Sequence, residues 1–90
     1  MSSTIELMQQ KLSTLTPTNI QIIDDSAKHA GHEGAKSGGG HYQLRIVSSA
    51  FTGQTTVSRH RMIYDALGDM MRQQIHALSI TAQAPEEVKS

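Results

Sequence analysis

Apolar residues recur along this chain at two different periods. Ile5, Met8, Leu12 and Leu15 fall on one side at helical spacing, and Pro17 stops the pattern. Ser3-Thr4-Ile5-Glu6 fits a capping box, with Ser3 as N-cap and Glu6 reaching back. A first helix is therefore predicted over about residues 4–15. From Asn19 to Asp25 the chain alternates instead, with Ile20 and Ile22 on one face. That is a short strand, ended by the turn chemistry of Asp24-Asp25-Ser26. Tyr42, Leu44 and Ile46 alternate again with Gln43 and Arg45, so a second strand follows His41 and runs to Ser48.

The stretch from Phe51 to Ile80 carries three elements in succession. Gly53 supplies the permissive backbone of a tight turn. Ser58 fits an N-cap, with Val57 before it stapled onto Met62. Ile63, Ala66, Leu67, Met70 and Met71 then share one side, which predicts that residues 57–72 are mostly helical. The period next drops to two: His76, Leu78 and Ile80 share a face, with Ala77, Ser79 and Thr81 on the other. This is a third strand, about 76–82. Pro85 and the acids after it suit the first turn of a helix, so a C-terminal turn or short helix is expected over 85–90.

Between the first two strands the periodicity vanishes. Residues 27–40 hold Gly31, Gly34, Gly38, Gly39 and Gly40, five of the seven glycines, together with His29, His32 and Lys36. An exposed, mobile loop is expected there. The order α-β-β-α-β implies an α+β two-layer sandwich, a three-stranded sheet with helices on one side. The first two strands are expected to be antiparallel neighbours, with the long helix returning the chain for the third.

Ninety residues make one domain, and a chain of this size buries about 60–65% of its unfolded surface. With three aromatics, the core must be aliphatic and methionine-rich. The absence of cysteine removes disulfides, thiolate nucleophiles and self-contained thiolate ligation of iron–sulfur clusters. Eight basic and eight acidic residues cancel, so no global field steers the chain onto nucleic acid. No apolar run approaches membrane-spanning length and no signal-peptide pattern opens the chain, so a cytoplasmic location is expected.

Two features break local rules, and such breaks often mark function. Arg59 and Arg61 sit in the first turn of the long helix, where the macrodipole disfavours cations. His76 sits on the face that its strand otherwise gives to aliphatics. On residue chemistry alone, His76 is a strand-end histidine satisfied by a backbone group, and a loop histidine is a solvated side chain. His60 falls at the margin of the helix's apolar face and packs there. Arg59 and Arg61 diverge and stay solvated, although Lys36, Arg45, Arg59 and Arg61 could gather into a basic patch. No nucleophile–base pairing with an orienting acid is present, and Gly38-Gly39-Gly40 opens a strand rather than a helix, so it is no phosphate loop. The chain is not expected to be an enzyme.

Phe51-Thr52-Gly53, Arg59-His60-Arg61-Met62-Ile63-Tyr64 and His76-Ala77-Leu78-Ser79, in this order and spacing, closely resemble the BolA-like family. The resemblance extends upstream through Asp24-Asp25-Ser26, the histidine–glycine loop and Tyr42 to Ser49, and covers about residues 5–85. It implies the same layout, which is similar to the class II variant of the KH fold. No Gly-x-x-Gly loop joins two helices here, so the nucleic-acid clamp of KH domains is missing.

The resemblance further implies a partner, a monothiol glutaredoxin, and a [2Fe-2S] cluster shared with it and with glutathione. His76 would be one ligand. The second would come from the loop, where family members carry cysteine or histidine: His32 first, then His41, then His29. None of this group would be tightly bound by the protein alone, which would be a monomer or weak homodimer. The alternative implied by the family is a DNA-binding transcriptional regulator of stress response and cell morphology. That role would use the turn-helix from Phe51 to Leu67, with Arg59, His60, Arg61, Lys36 and Arg45 as contacts.

Overall fold

The computed structural model describes residues 4–25 and 40–88. Ser3, His29, His32 and Lys36 lie outside the described residues. Helix α1 spans Thr4–Leu12 and tightens into a 3-10 turn over Ser13–Leu15. Thr16 then takes a left-handed conformation, φ 47°, one residue before Pro17, and the helix stops as its sequence requires. Strand β1 (Asn19–Asp24) pairs antiparallel with β2 (Gly40–Val47), which pairs parallel with β3 (Ile75–Gln83). The sheet order is β1-β2-β3.

Between β2 and β3 run a 3-10 turn, Ser49–Phe51, helix α2, Thr56–Leu67, and a short α3, Met70–Gln73. A final 3-10 turn covers Pro85–Glu87. The result is a two-layer α+β sandwich. Tyr42, Leu44 and Ile46 of the central strand face Met8 and Leu12 of α1, Ile63 and Leu67 of α2, and Met70 of α3, all buried. Burial of each such side chain contributes about 1.5–3 kcal/mol. Gln43 and Arg45, on the opposite face, are exposed.

Two expectations for the long helix are corrected. Its N-cap is Thr55, whose Oγ1 accepts the Ser58 N–H at 3.0 Å, so Ser58 lies inside the first turn. Both residue types can cap, and the one three positions ahead reaches the free N–H groups first. Val57 thus becomes helical and 68% exposed, in place of the expected staple. Residues 57–72 are mostly helical, as expected, with one break: Gly68, at φ 58°, closes α2 with its N–H on the Tyr64 carbonyl, and α3 restarts two residues later.

Candidate functional site

Because β3 runs parallel to β2, both strands begin at the same end of the sheet, and each brings a histidine there. The pairing is irregular at that end. Gly40 stands opposite Ile75, but His41 stands opposite Ala77, so His76 is an extra residue on β3. This is a β-bulge, a device that re-aims a side chain next to the ladder. It corrects the strict alternation expected for β3. Ile75 turns into the core at 3% exposure, Leu78 pairs with Tyr42 on the inner face, and His76 is exposed between them. The ring centroids of His41 and His76 are 5.0 Å apart, with the planes tilted by 44°.

The backbone around the pair leaves little slack. The Gly40 N–H donates to the Gln74 carbonyl at 2.8 Å. A Cβ at Gly40 would clash with the Tyr42 ring, which folds over that glycine, so no larger residue fits without displacing the tyrosine. Asp25 donates its N–H to the His41 carbonyl at 2.7 Å, and its carboxylate accepts from the Gln43 side chain. An open groove of about 490 Å³ runs over this end of the outer sheet face, lined by Asp25, His41, Tyr42, Gln43, Ala77, Leu78 and Ser79. Asp25 was legible in sequence only as turn chemistry; its place beside His41 comes from strand pairing. Among the described residues no group of three histidine, cysteine or acidic side chains could hold a metal ion. The two imidazoles are therefore an incomplete ligand set.

The arginines separate. Arg59 is buried, against the expectation that it stays solvated. Its Nη1 and Nη2 donate to Glu87 at 2.6 and 2.8 Å, its Nε to the Gln54 carbonyl at 2.9 Å and its Nη1 also to the Ala82 carbonyl at 3.1 Å. The bidentate geometry is the strong form of this pair. Glu87 also accepts the Ala84 N–H at 2.9 Å. One side chain thus ties the start of α2 to the end of β3 and the last turn, which accounts for a cation near a helix N-terminus. Sequence showed Glu87 only as an acid after proline, since its partner is 28 residues away.

Arg61 is exposed on α2 and His60 is half-buried, in the helical layer. Arg45 is exposed on the opposite sheet face. The basic patch expected of Arg45, Arg59 and Arg61 is therefore not assembled: one is buried in an ion pair and the other two belong to different layers.

The Arg59 pair should make stability pH-dependent. Hydrogen bonds from Arg59, then from the Ala84 N–H, hold the Glu87 carboxyl at about 2, below its ordinary 4.5. A carboxyl depressed by folding stabilises the fold above the unfolded value, and that contribution is lost as pH falls through the folded one. Between pH 4.5 and about 2, the wild-type protein should lose stability more steeply than Glu87→Gln. Urea melts at stepped pH check this; parallel slopes in the two proteins would remove the pair from the acid response. Glu87 is 43% exposed, so solvent screens part of the effect.

A three-stranded mixed sheet with helices on one side defines the class, an α+β two-layer sandwich, and the family match agrees. A family model described as BolA-like protein matches residues 12–87. The chain belongs to the BolA-like family. It is 46% identical over 79 residues to SufE-like protein 1, chloroplastic/mitochondrial, of Arabidopsis thaliana, covering 82% of this chain and 21% of that protein. The solved BolA domain of SufE1 from the same plant superimposes with a TM-score of 0.82 at 43% identity, over 98% of this chain and 99% of the domain. The DNA-binding transcriptional regulator BolA of Escherichia coli strain K12 is 33% identical over 76 residues, 83% of this chain and 70% of that protein. The chain thus spans about a fifth of the first of these relatives. Among the described residues no helix is long and apolar enough to cross a membrane.

Proposed function

We propose that this protein is a non-enzymatic partner of a monothiol glutaredoxin, co-ligating a [2Fe-2S] cluster in iron–sulfur trafficking and iron homeostasis. The observation that carries the reading is the exposed His76, set outward by a bulge and 5.0 Å from His41. The donor set fits the group. Imidazole replaces thiolate on one iron of Rieske clusters, and a chain without cysteine has histidine but no thiolate to offer. His76 would hold the iron, joined by a second imidazole from His32 of the loop or from His41. The cluster, when bound, supplies an iron–sulfur unit that can be handed on. The chain's own residues expose His76 beside the half-buried His41 at one sheet end and would leave the remaining ligand positions to a partner's thiolate and glutathione.

The test is an absorption and circular-dichroism titration of cluster-loaded monothiol glutaredoxin with this protein, glutathione present. A new spectrum saturating at one chain per glutaredoxin is expected; unchanged glutaredoxin spectra would overturn the reading.

A second reading, DNA binding, is supported by the name of the Escherichia coli relative and by the exposed Arg61. Arg61→Glu is its clean probe, since altering Arg59 also breaks the pair with Glu87. Salt-dependent binding to duplex DNA that vanishes in Arg61→Glu would favour this reading, while affinity unchanged by that variant would remove it.

A further inference from the structure

A metal ion held by two imidazoles constrains how far apart their rings can be. At a metal–nitrogen distance of about 2.0–2.1 Å, each ring centroid sits about 3.2 Å from the ion. Two such rings are then about 4.5 Å apart at a right angle and about 5.2 Å apart at the tetrahedral angle. The His41 and His76 centroids are 5.0 Å apart, inside that interval. They face neither each other squarely, as in a stacked pair, nor at right angles, the planes being tilted by 44°.

We propose that His41 and His76 bind one divalent ion of the borderline class, zinc, nickel or copper, in the protein alone. This goes beyond the cluster reading, because it needs no partner chain and no sulfide. Neutral imidazole suits these ions, whereas magnesium and calcium prefer oxygen ligands, and no thiolate is present to draw softer metals. The groove beside the pair gives a hydrated ion its way in, and Asp25, Gln43 and Ser79 line it with groups that can bond the ion's remaining waters. Nε2 of His41 is shielded from solvent, so coordination uses Nδ1 or the ring turned over, a half-rotation about χ2 that exchanges the two sides. With two protein ligands the site binds reversibly and follows the usual order, copper above nickel and zinc.

The bulge is what makes the pair. In an unbroken ladder the residue before Ala77 would point to the helical layer with Leu78 and Tyr42, away from the outer-face row that holds His41 and Ala77. Strand register therefore sets the ring separation. Since His76 would also serve the shared cluster, a bound divalent ion competes with it; this consequence alone rests on the proposed function.

The test is calorimetric titration of the purified protein with zinc sulfate, and with copper sulfate read by electron paramagnetic resonance. One ion per chain is expected, with two nitrogens coupled to copper. His41→Ala and His76→Ala should each weaken zinc binding at least roughly tenfold, at the scale of lost metal-site support. The double variant His29→Ala/His32→Ala should bind as wild type does. Circular dichroism of each variant confirms that it is folded. Absent binding in wild type, full affinity in folded His41→Ala, or loss in the loop double variant would each overturn the proposal. Zinc binding at the pair without cluster formation beside glutaredoxin keeps this inference and removes the functional reading; cluster formation without zinc binding does the reverse.

Discussion

His76→Ala is expected to leave the fold intact and to shorten the lifetime of a glutaredoxin-shared cluster at least roughly tenfold, the cost of removing support at a metal site. The fold should tolerate the change because the imidazole is exposed and sits on the unpaired residue of the bulge, where Ile75 and Leu78 on either side carry the packing. The cluster should not tolerate it, because the described residues offer no third ligand to take its place. Thermal melts by circular dichroism would check the first half, and decay of the cluster absorbance after mixing would check the second. Equal lifetimes in wild type and His76→Ala would remove His76 from the ligand set. His32→Ala and His41→Ala, run in parallel, assign the second imidazole: the one whose loss shifts the spectrum supplies it.

The second large effect is on stability. Phe51→Ala should cost about 3–5 kcal/mol, a large part of a domain stability of about 5–15 kcal/mol. Phe51 is the only phenylalanine, and it is fully buried from a 3-10 turn rather than from a helix or strand. The turn has its own scaffold. Ser48 accepts the Ala50 N–H at 3.1 Å and donates to the Leu15 carbonyl, and Gly53 leaves the turn at φ 76°. With so few aromatics, neighbouring aliphatic side chains cannot refill a cavity of that size without moving backbone. Urea unfolding should show the midpoint fall at unchanged slope. A loss below about 1 kcal/mol would mean that the core closes around the gap.

These two residues differ in how they could be read. Phe51, Gly53, the apolar side of α2 and the alternation of Tyr42, Leu44 and Ile46 are local patterns, and each element they predict is present. A first helix after Ser3, three strands, the antiparallel first pair and a closing turn at Pro85 were all legible from period and punctuation, whereas the 3-10 end of α1 was not. Local pattern misled where two signals of equal chemistry compete. Thr55 and Ser58 can both cap, and Gly68 broke a helix whose apolar spacing ran on through Met70 and Met71.

What the sequence by itself determined is therefore the type and order of elements and the residue chemistry available: histidines without cysteine, balanced charge and an aliphatic core. Side-chain period and turn residues encode those within a few positions of one another. Tertiary structure alone decided the rest. The bulge that turns His76 outward depends on how β3 settles against β2, and a one-residue slip there exchanges the faces. The burial of Arg59 depends on Glu87, brought to it only when β3 returns the chain end to α2. The 5.0 Å between His41 and His76 spans 35 positions of sequence and exists because two parallel strands start at one edge. No local period carries information about such distances; they are set when the sheet closes on the helices.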